Sequence, residues 1–170
     1  MQAPDTVLRE YQRQLLDRIH AIGGTEPSSS HLGFEAGEQE NWVVPLTDVS
    51  EVIPLSIVVP VPLAADWFTG VANIRGSLFA ITDFAQFSNG NPTPIEAESR
   101  LVLLHARFRV HAALLIRRSL GLKKIESIAL PDVSSSSWLS GTHTDSHGRI
   151  WRELNVQQLT RDTRFLKVGC

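Results

Sequence analysis

The stretch Gly70-Val71-Ala72-Asn73-Ile74-Arg75-Gly76-Ser77-Leu78-Phe79-Ala80-Ile81-Thr82-Asp83-Phe84 decides the fold class. Two arms rich in β-forming residues flank Arg75-Gly76-Ser77, which predicts a hairpin with the glycine where a positive φ is needed. Upstream, Leu32, Phe34 and Ala36 alternate with Gly33 and Glu35, and a polar turn at residues 38–41 leads into Trp42-Val43-Val44-Pro45-Leu46. Period two on each arm predicts a second hairpin. Residues 47–54 carry apolar Val49, Val52 and Ile53 beside polar Asp48 and Glu51. Val58-Val59-Pro60-Val61-Pro62 is extended, because each proline biases the residue before it toward β or polyproline geometry. Downstream, residues 89–94 form a loop, and residues 101–105 and 110–116 form two apolar strands. Residues 120–128 are compatible with a strand, residues 134–137 are a serine loop, and residues 138–144 and 149–154 make a last hairpin around Asp145-Ser146-His147-Gly148.

Helical signal is confined to the ends. Residues 5–22 place Leu8, Tyr11, Leu15, Ile19 and Ile22 on one face, between Pro4-Asp5-Thr6 and Gly23-Gly24. This helix reads either as a clip docked on the body or as an interaction helix that recruits a partner. Pro27 and the three serines after it read as a linker. Residues 155–165 read as a closing helix with Asn155 as its N-cap. Short strands joined by turns, with helices only at the ends, predict a mostly β protein of small barrels rather than a parallel α/β sheet. Residues 1–30 form the helix and linker, and residues 31–170 form one domain.

The chain has 170 residues, 42% hydrophobic and 20% charged, with a formal net charge of -2. That balance does not favour nucleic acid or an anionic membrane. Arg107, Arg109, Arg117, Arg118, Lys123 and Lys124 are interrupted by apolar residues and read as solvated strand positions. A small β-barrel binding single-stranded nucleic acid is the alternative function, and it requires a basic groove with exposed aromatics. The single cysteine, Cys170, fits a reducing cytoplasm. Residues 1–5 lack the features of a signal peptide, and no apolar run approaches the ~18 residues of a membrane span. The expectation is a cytoplasmic protein without direct membrane insertion.

Catalytic chemistry is not visible. His143, Asp145 and His147 fall on a turn at i, i+2, i+4, where turn residues are the better reading than a zinc site, which needs a third protein ligand and hydrogen-bond partners that orient the ligands. Metal-dependent hydrolysis through His143 and His147 is a third, weaker hypothesis. There is no nucleophile elbow, zinc-protease helix or phosphate-binding loop. Asp83 reads as a carboxylate that bonds local backbone and fixes a turn. No catalytic residue, metal or cofactor is expected.

The run GVANIRG at residues 70–76, with Asp83 seven residues on, resembles the CheW-domain signature G-V-x-N-x-R-G followed by apolar alternation ending in D-L. Residues 42–46, then Val49-Ser50-Glu51-Val52-Ile53, resemble its strand followed by V-x-E-V-I. Residues 101–103 and 111–116 resemble its paired central strands. The likeness covers about residues 30–168, and departs from the signature at Ala80 and Phe84, where the family usually has Pro and Leu. The resemblance implies two five-stranded, SH3-like β-barrels joined by a hydrophobic seam. It also implies a scaffold that binds the regulatory domain of a CheA-type histidine kinase and the cytoplasmic tip of a methyl-accepting chemoreceptor, with Val49, Glu51, Gly70, Asn73 and Arg75 as partner-binding positions. Arg75 at the hairpin tip could pair with acidic groups on a helical partner. Val49 is either an exposed apolar contact or buried in the first barrel. Gly70 and Asn73 more readily shape the hairpin. The extra N-terminal helix and the C-terminal tail resemble the branch of the family that serves type IV pili and twitching motility.

Overall fold

The computed structural model describes residues 30–125 and 136–169. The helix expected at residues 5–22, the end of the strand expected over 120–128, and Cys170 lie outside them. Two five-stranded sheets form the body. The first is ordered β8-β1-β2-β10-β9 and the second β3-β6-β7-β5-β4. In chain order the strands are β1 Ser30–Ala36, β2 Glu40–Pro45, β3 Val49–Pro54, β4 Phe68–Ile74, β5 Ser77–Asp83, β6 Arg100–Leu104, β7 Ala112–Ile116, β8 Arg118–Lys124, β9 Leu139–Thr144 and β10 Ile150–Leu154. The chain leaves the first sheet through the 3-10 turn Leu46–Asp48, builds the whole second sheet, and returns at Arg117. The first sheet is therefore assembled from two distant pieces of chain, sutured by a parallel pairing of β10 with β2 (Arg152 opposite Trp42, Glu153 opposite Val43).

Burial explains the texture of the sequence. In β6 and β7 one set of alternate residues, Leu101, Leu103, Ala113 and Leu115, packs with Ala72, Ile74 and Ile81 inside the second sheet. The other set, Val102, Leu104, Ala112, Leu114 and Ile116, packs against Leu32, Phe34, Trp42, Val44 and Leu154 of the first sheet. Strands buried on both faces read as unbroken apolar runs, whereas β1 and β2 turn only alternate side chains to the seam.

Charged groups fasten the crossover points. Glu35 is buried and accepts from Arg117 Nη1 at 3.1 Å and Arg118 Nε at 2.6 Å, and Arg117 also reaches Glu96. Arg107 pairs with Asp48 in the first crossover turn. Arg107, Arg117 and Arg118 are thus ion-paired partners rather than simply solvated, because the crossovers bring carboxylates distant in sequence onto them.

Two expectations, helices only at the ends and a single closing helix, are corrected. The β4–β5 hairpin, expected to run through Phe84, ends at Asp83, and Phe84 opens a short helix, α1 (Phe84–Asn89). Asp83 caps it by accepting from Gln86 N, and also accepts from Thr93 N and Oγ1, so the carboxylate stops the strand and anchors the following loop. The closing helix is two one-turn helices, α2 (Val156–Leu159) and α3 (Thr163–Leu166), capped by Asn155 and Asp162 respectively. The break falls where Thr160 Oγ1 bonds back to Val156 O and Asp162 begins a new cap.

Candidate functional site

The β4–β5 turn is two residues long, with Arg75 at φ 51 and Gly76 at φ 85 between the paired Ile74 and Ser77. Positive φ at both central residues is the type I′ geometry that matches strand twist. Asn73 supports it by accepting Gly76 N–H on its side-chain oxygen at 2.9 Å. The turn aims the Arg75 side chain at Glu51: Nη1 donates to Oε2 at 2.7 Å and Nη2 to Oε1 at 2.6 Å. This fork is a bidentate charge-assisted pair, and the Glu51 hydrogen bonds, then its charge, hold the guanidinium pKa above its ordinary value. Glu51 lies on β3, one end strand of the second sheet, and Arg75 on the turn that follows β4, the other end strand in the order. The pair stays accessible, with the Arg75 side chain 74% and the Glu51 side chain 35% exposed.

Val49 does not join that surface. It is 9% exposed and packs in the seam between the sheets, so the exposed-contact reading is corrected, and the burial is in the seam rather than within one barrel. The cause is a bulge: Val49 lies opposite Leu104 but Glu51 opposite Leu103, leaving Ser50 as the extra residue. Two residues at i, i+2 would share a face of a regular strand, and the bulge separates them.

Gly70 is buried at φ 142, and its backbone lies against Val59. Val59 and Val71 exchange both backbone hydrogen bonds, at 2.8 and 2.9 Å, so segment 57–61 runs antiparallel along β4. Of the positions named from the sequence, the structure brings Glu51, Asn73 and Arg75 to one corner of the molecule, while Gly70 lies further along β4 as a backbone contact.

The stretch read as a histidine turn is divided: His143 lies buried on β9, and only Asp145 to Gly148 form the turn. Asp145 accepts from His147 N, Arg149 N and Trp151 Nε1, and these bonds, chiefly that of Trp151, hold its carboxyl below the usual range. His143 is buried and bonds Glu153 Oε2 at 2.6 Å, while His31 stands 3.5 Å from Oε1 of the same carboxylate. Among the described residues no group of three or more His, Cys, Asp or Glu is placed to hold a metal ion. Sequence reasoning missed Glu153 because its partners come from β1 and β9, far apart in the chain.

That cluster has a pH signature. The hydrogen bond from His31, then that of His143, holds the Glu153 carboxyl below its ordinary value of 4.5. A depressed carboxyl contributes stability that is present above the unfolded pKa and lost as pH falls through the folded one. Wild type is therefore expected to lose more of its urea midpoint between pH 5.5 and pH 3.5 than Glu153→Gln does. Equal losses in the two proteins would show that the carboxylate is not held in this way.

Comparison with known proteins adds three observations. The family model described as CheW-like domain matches residues 30–164. Protein PilI of Pseudomonas aeruginosa is 31% identical over 111 residues, which is 65% of this chain and 61% of that protein. The chain thus aligns with less than two thirds of that relative. The crystal structure of the scaffolding protein TtCheW from Thermoanaerobacter tengcongensis superposes with a TM-score of 0.68 at 14% identity, covering 82% of this chain and 97% of that one, which is a likeness of fold.

Proposed function

From the premise that this chain belongs to the CheW-like domain family, we propose that it is a non-catalytic adaptor coupling a methyl-accepting chemoreceptor to a CheA-type histidine kinase. The pathway it serves is chemotaxis-like and controls type IV pilus twitching motility. The observation that carries the reading is the accessible Glu51–Arg75 fork, which joins two motif residues 24 apart in the chain at one corner of the second sheet. A preorganised pair there presents fixed charge and fixed hydrogen-bond geometry to a partner without needing to order itself first. The likeness to PilI supports the pilus branch. No helix of the described residues is long and apolar enough to cross a membrane. In this reading the protein sits in the cytoplasm and reaches membrane-associated receptor arrays through its partners, so that receptor state biases kinase state.

The test is binding of the purified chain to the kinase regulatory domain and to the receptor cytoplasmic tip encoded with it. Arg75→Glu sets two carboxylates side by side at an exposed corner. Because exposed pairs add little to folding, its melting temperature is expected to stay near wild type while affinity for at least one partner falls about tenfold or more. Wild type that binds neither partner would end the adaptor reading.

A further inference from the structure

The two faces of the first sheet differ in kind. Leu32, Phe34, Trp42, Val44 and Leu154 turn to the seam and pack there. The alternate residues His31, Gly33, Glu35, Val43, Trp151 and Glu153 face the other way, and Trp151 and Val43, though buried, belong to neither apolar cluster. His31, Glu35 and His143 are buried on that face, so it is polar where the inside of the second sheet is aliphatic. Lys123 of β8 is turned onto the same face. Gly33 sits within β1 without a positive φ, so the backbone does not demand glycine there. Space does: a Cβ at residue 33 would stand 2.8 Å from Lys123 Cγ and 3.2 Å from Trp151 Cζ3. The bare backbone lets the lysine stem lie inward and sets Nζ over the Trp151 ring, 5.3 Å from its centroid. Lysine on an end strand ordinarily points outward, where it discourages pairing with another chain, and Lys123 does not. Arg118 and Arg152 of the same sheet pair with Glu35 and Glu40, whereas Lys123 has no carboxylate partner among the described residues.

A cavity of about 370 Å³ lies beside this ammonium group, walled by Trp151, His143 and Ile125, with exposed Lys124 and Thr144 at its rim. His143 turns its Nε2 to Glu153. Asp145 also reaches the cavity, but its oxygens already accept from Trp151 Nε1 and from two N–H groups of the turn. We propose that this cavity binds a small monocarboxylate, with the carboxylate on the Lys123 ammonium and the apolar part against Trp151 and Ile125. A charge-assisted contact to an inward lysine is the bond that the fold leaves unmade. Charge agrees with a single negative group, since the lining sets two lysines against one aspartate. Size agrees too, because small-molecule sites run from roughly 300 to 1,000 Å³. A phosphate group is matched less well: no arginine fork lines the cavity among the described residues. The site belongs to the first sheet and lies apart from the Glu51–Arg75 corner of the second, so it stands independently of the adaptor reading.

The test is titration of the full chain with sodium benzoate and with sodium hexanoate, followed by NMR on the indole N–H signals. The Trp151 signal reports on the cavity wall. A saturating shift of that signal is expected for at least one acid, with a dissociation constant of about a millimolar or below. Benzamide, the uncharged match of benzoate, is expected to bind at least about tenfold more weakly. Lys123→Met keeps an apolar stem over Trp151 and removes the charge. Its melting temperature is expected to stay near wild type, while its affinity for the acid falls about tenfold or more. If that variant does not fold, Lys124→Gln at the exposed rim carries the test, with an expected loss of roughly threefold. No Trp151 shift with either acid at tens of millimolar would overturn the proposal. Equal binding of benzamide would do the same, leaving an apolar pocket without an anion site. Inorganic phosphate that shifts the signal as tightly as the acids would mean an adventitious ion only, again overturning it. Undiminished affinity in the lysine variant would show that the ammonium is not the anchor, and the site would fall.

Discussion

Gly70→Ala is expected to lower the unfolding free energy by about 3 kcal/mol and the melting temperature by roughly 10 °C. A Cβ at residue 70 would stand 2.1 Å from the Val59 carbonyl oxygen, 2.7 Å from its carbon and 2.9 Å from Pro60 Cα. All three are backbone atoms, so no side-chain rotation relieves the overlap. The φ of 142 would strain any residue with a Cβ even without that contact. Either β4 distorts or segment 57–61 lifts away, losing the two bonds exchanged by Val59 and Val71, each worth about 1 kcal/mol. Gly76 is the matched control: it also has positive φ, at 85, but nothing lies within 4 Å of a Cβ there. Gly76→Ala is therefore expected to cost only the backbone part, about 1 kcal/mol. Chemical denaturation of the two variants side by side separates close approach from conformational freedom. Equal costs would mean that the Val59 contact contributes nothing.

Phe84→Ala is expected to be more damaging, at about 3–5 kcal/mol. Phe84 is fully buried, and its ring meets Trp42 at 4.9 Å, Phe34 at 5.6 Å and Trp138 at 6.0 Å between centroids, each edge to face. Those partners come from β1, β2 and the start of the last hairpin, while Phe84 itself follows β5 directly. The side chain therefore joins the two sheets, and its removal opens a cavity lined by rings that have few alternative rotamers. Because Trp42 and Trp138 both flank the gap, a change in tryptophan emission of the folded variant is expected alongside the lower urea midpoint. Phe84→Leu, which installs the residue usual in the family signature, is expected to cost roughly 1–2 kcal/mol. A Phe84→Ala protein as stable as wild type would show that the seam does not depend on this ring.

Local chemistry wrote much of the fold plainly. Alternation in Leu32, Phe34 and Ala36, the unbroken runs of β6 and β7, the Arg75-Gly76 turn and the Asn155 cap all act within a few residues, and each is where the sequence places it. The misplaced features share a different origin. Phe84 continues a β-like pattern by composition, yet Asp83 folds back to Gln86 and Thr93 and starts a helix. Residues 155–165 read as one closing helix behind the Asn155 cap, but a second cap at Asp162 divides it.

The sequence by itself determined that the chain is mostly β, where its strands and turns fall, and which motif residues cluster at the β4–β5 hairpin. Those outcomes follow from side-chain period, proline and glycine geometry, and capping, all of which are local. Only the tertiary structure decided that Val49 faces the seam while Glu51 faces Arg75, because a bulge at Ser50 resets the register against β6. Likewise, only the tertiary structure laid Arg75 of the β4–β5 turn against Glu51 of β3, and only the crossovers laid Glu35 against Arg117 and Arg118. Register and such contacts are set between segments far apart in the chain, and no window of sequence contains both partners.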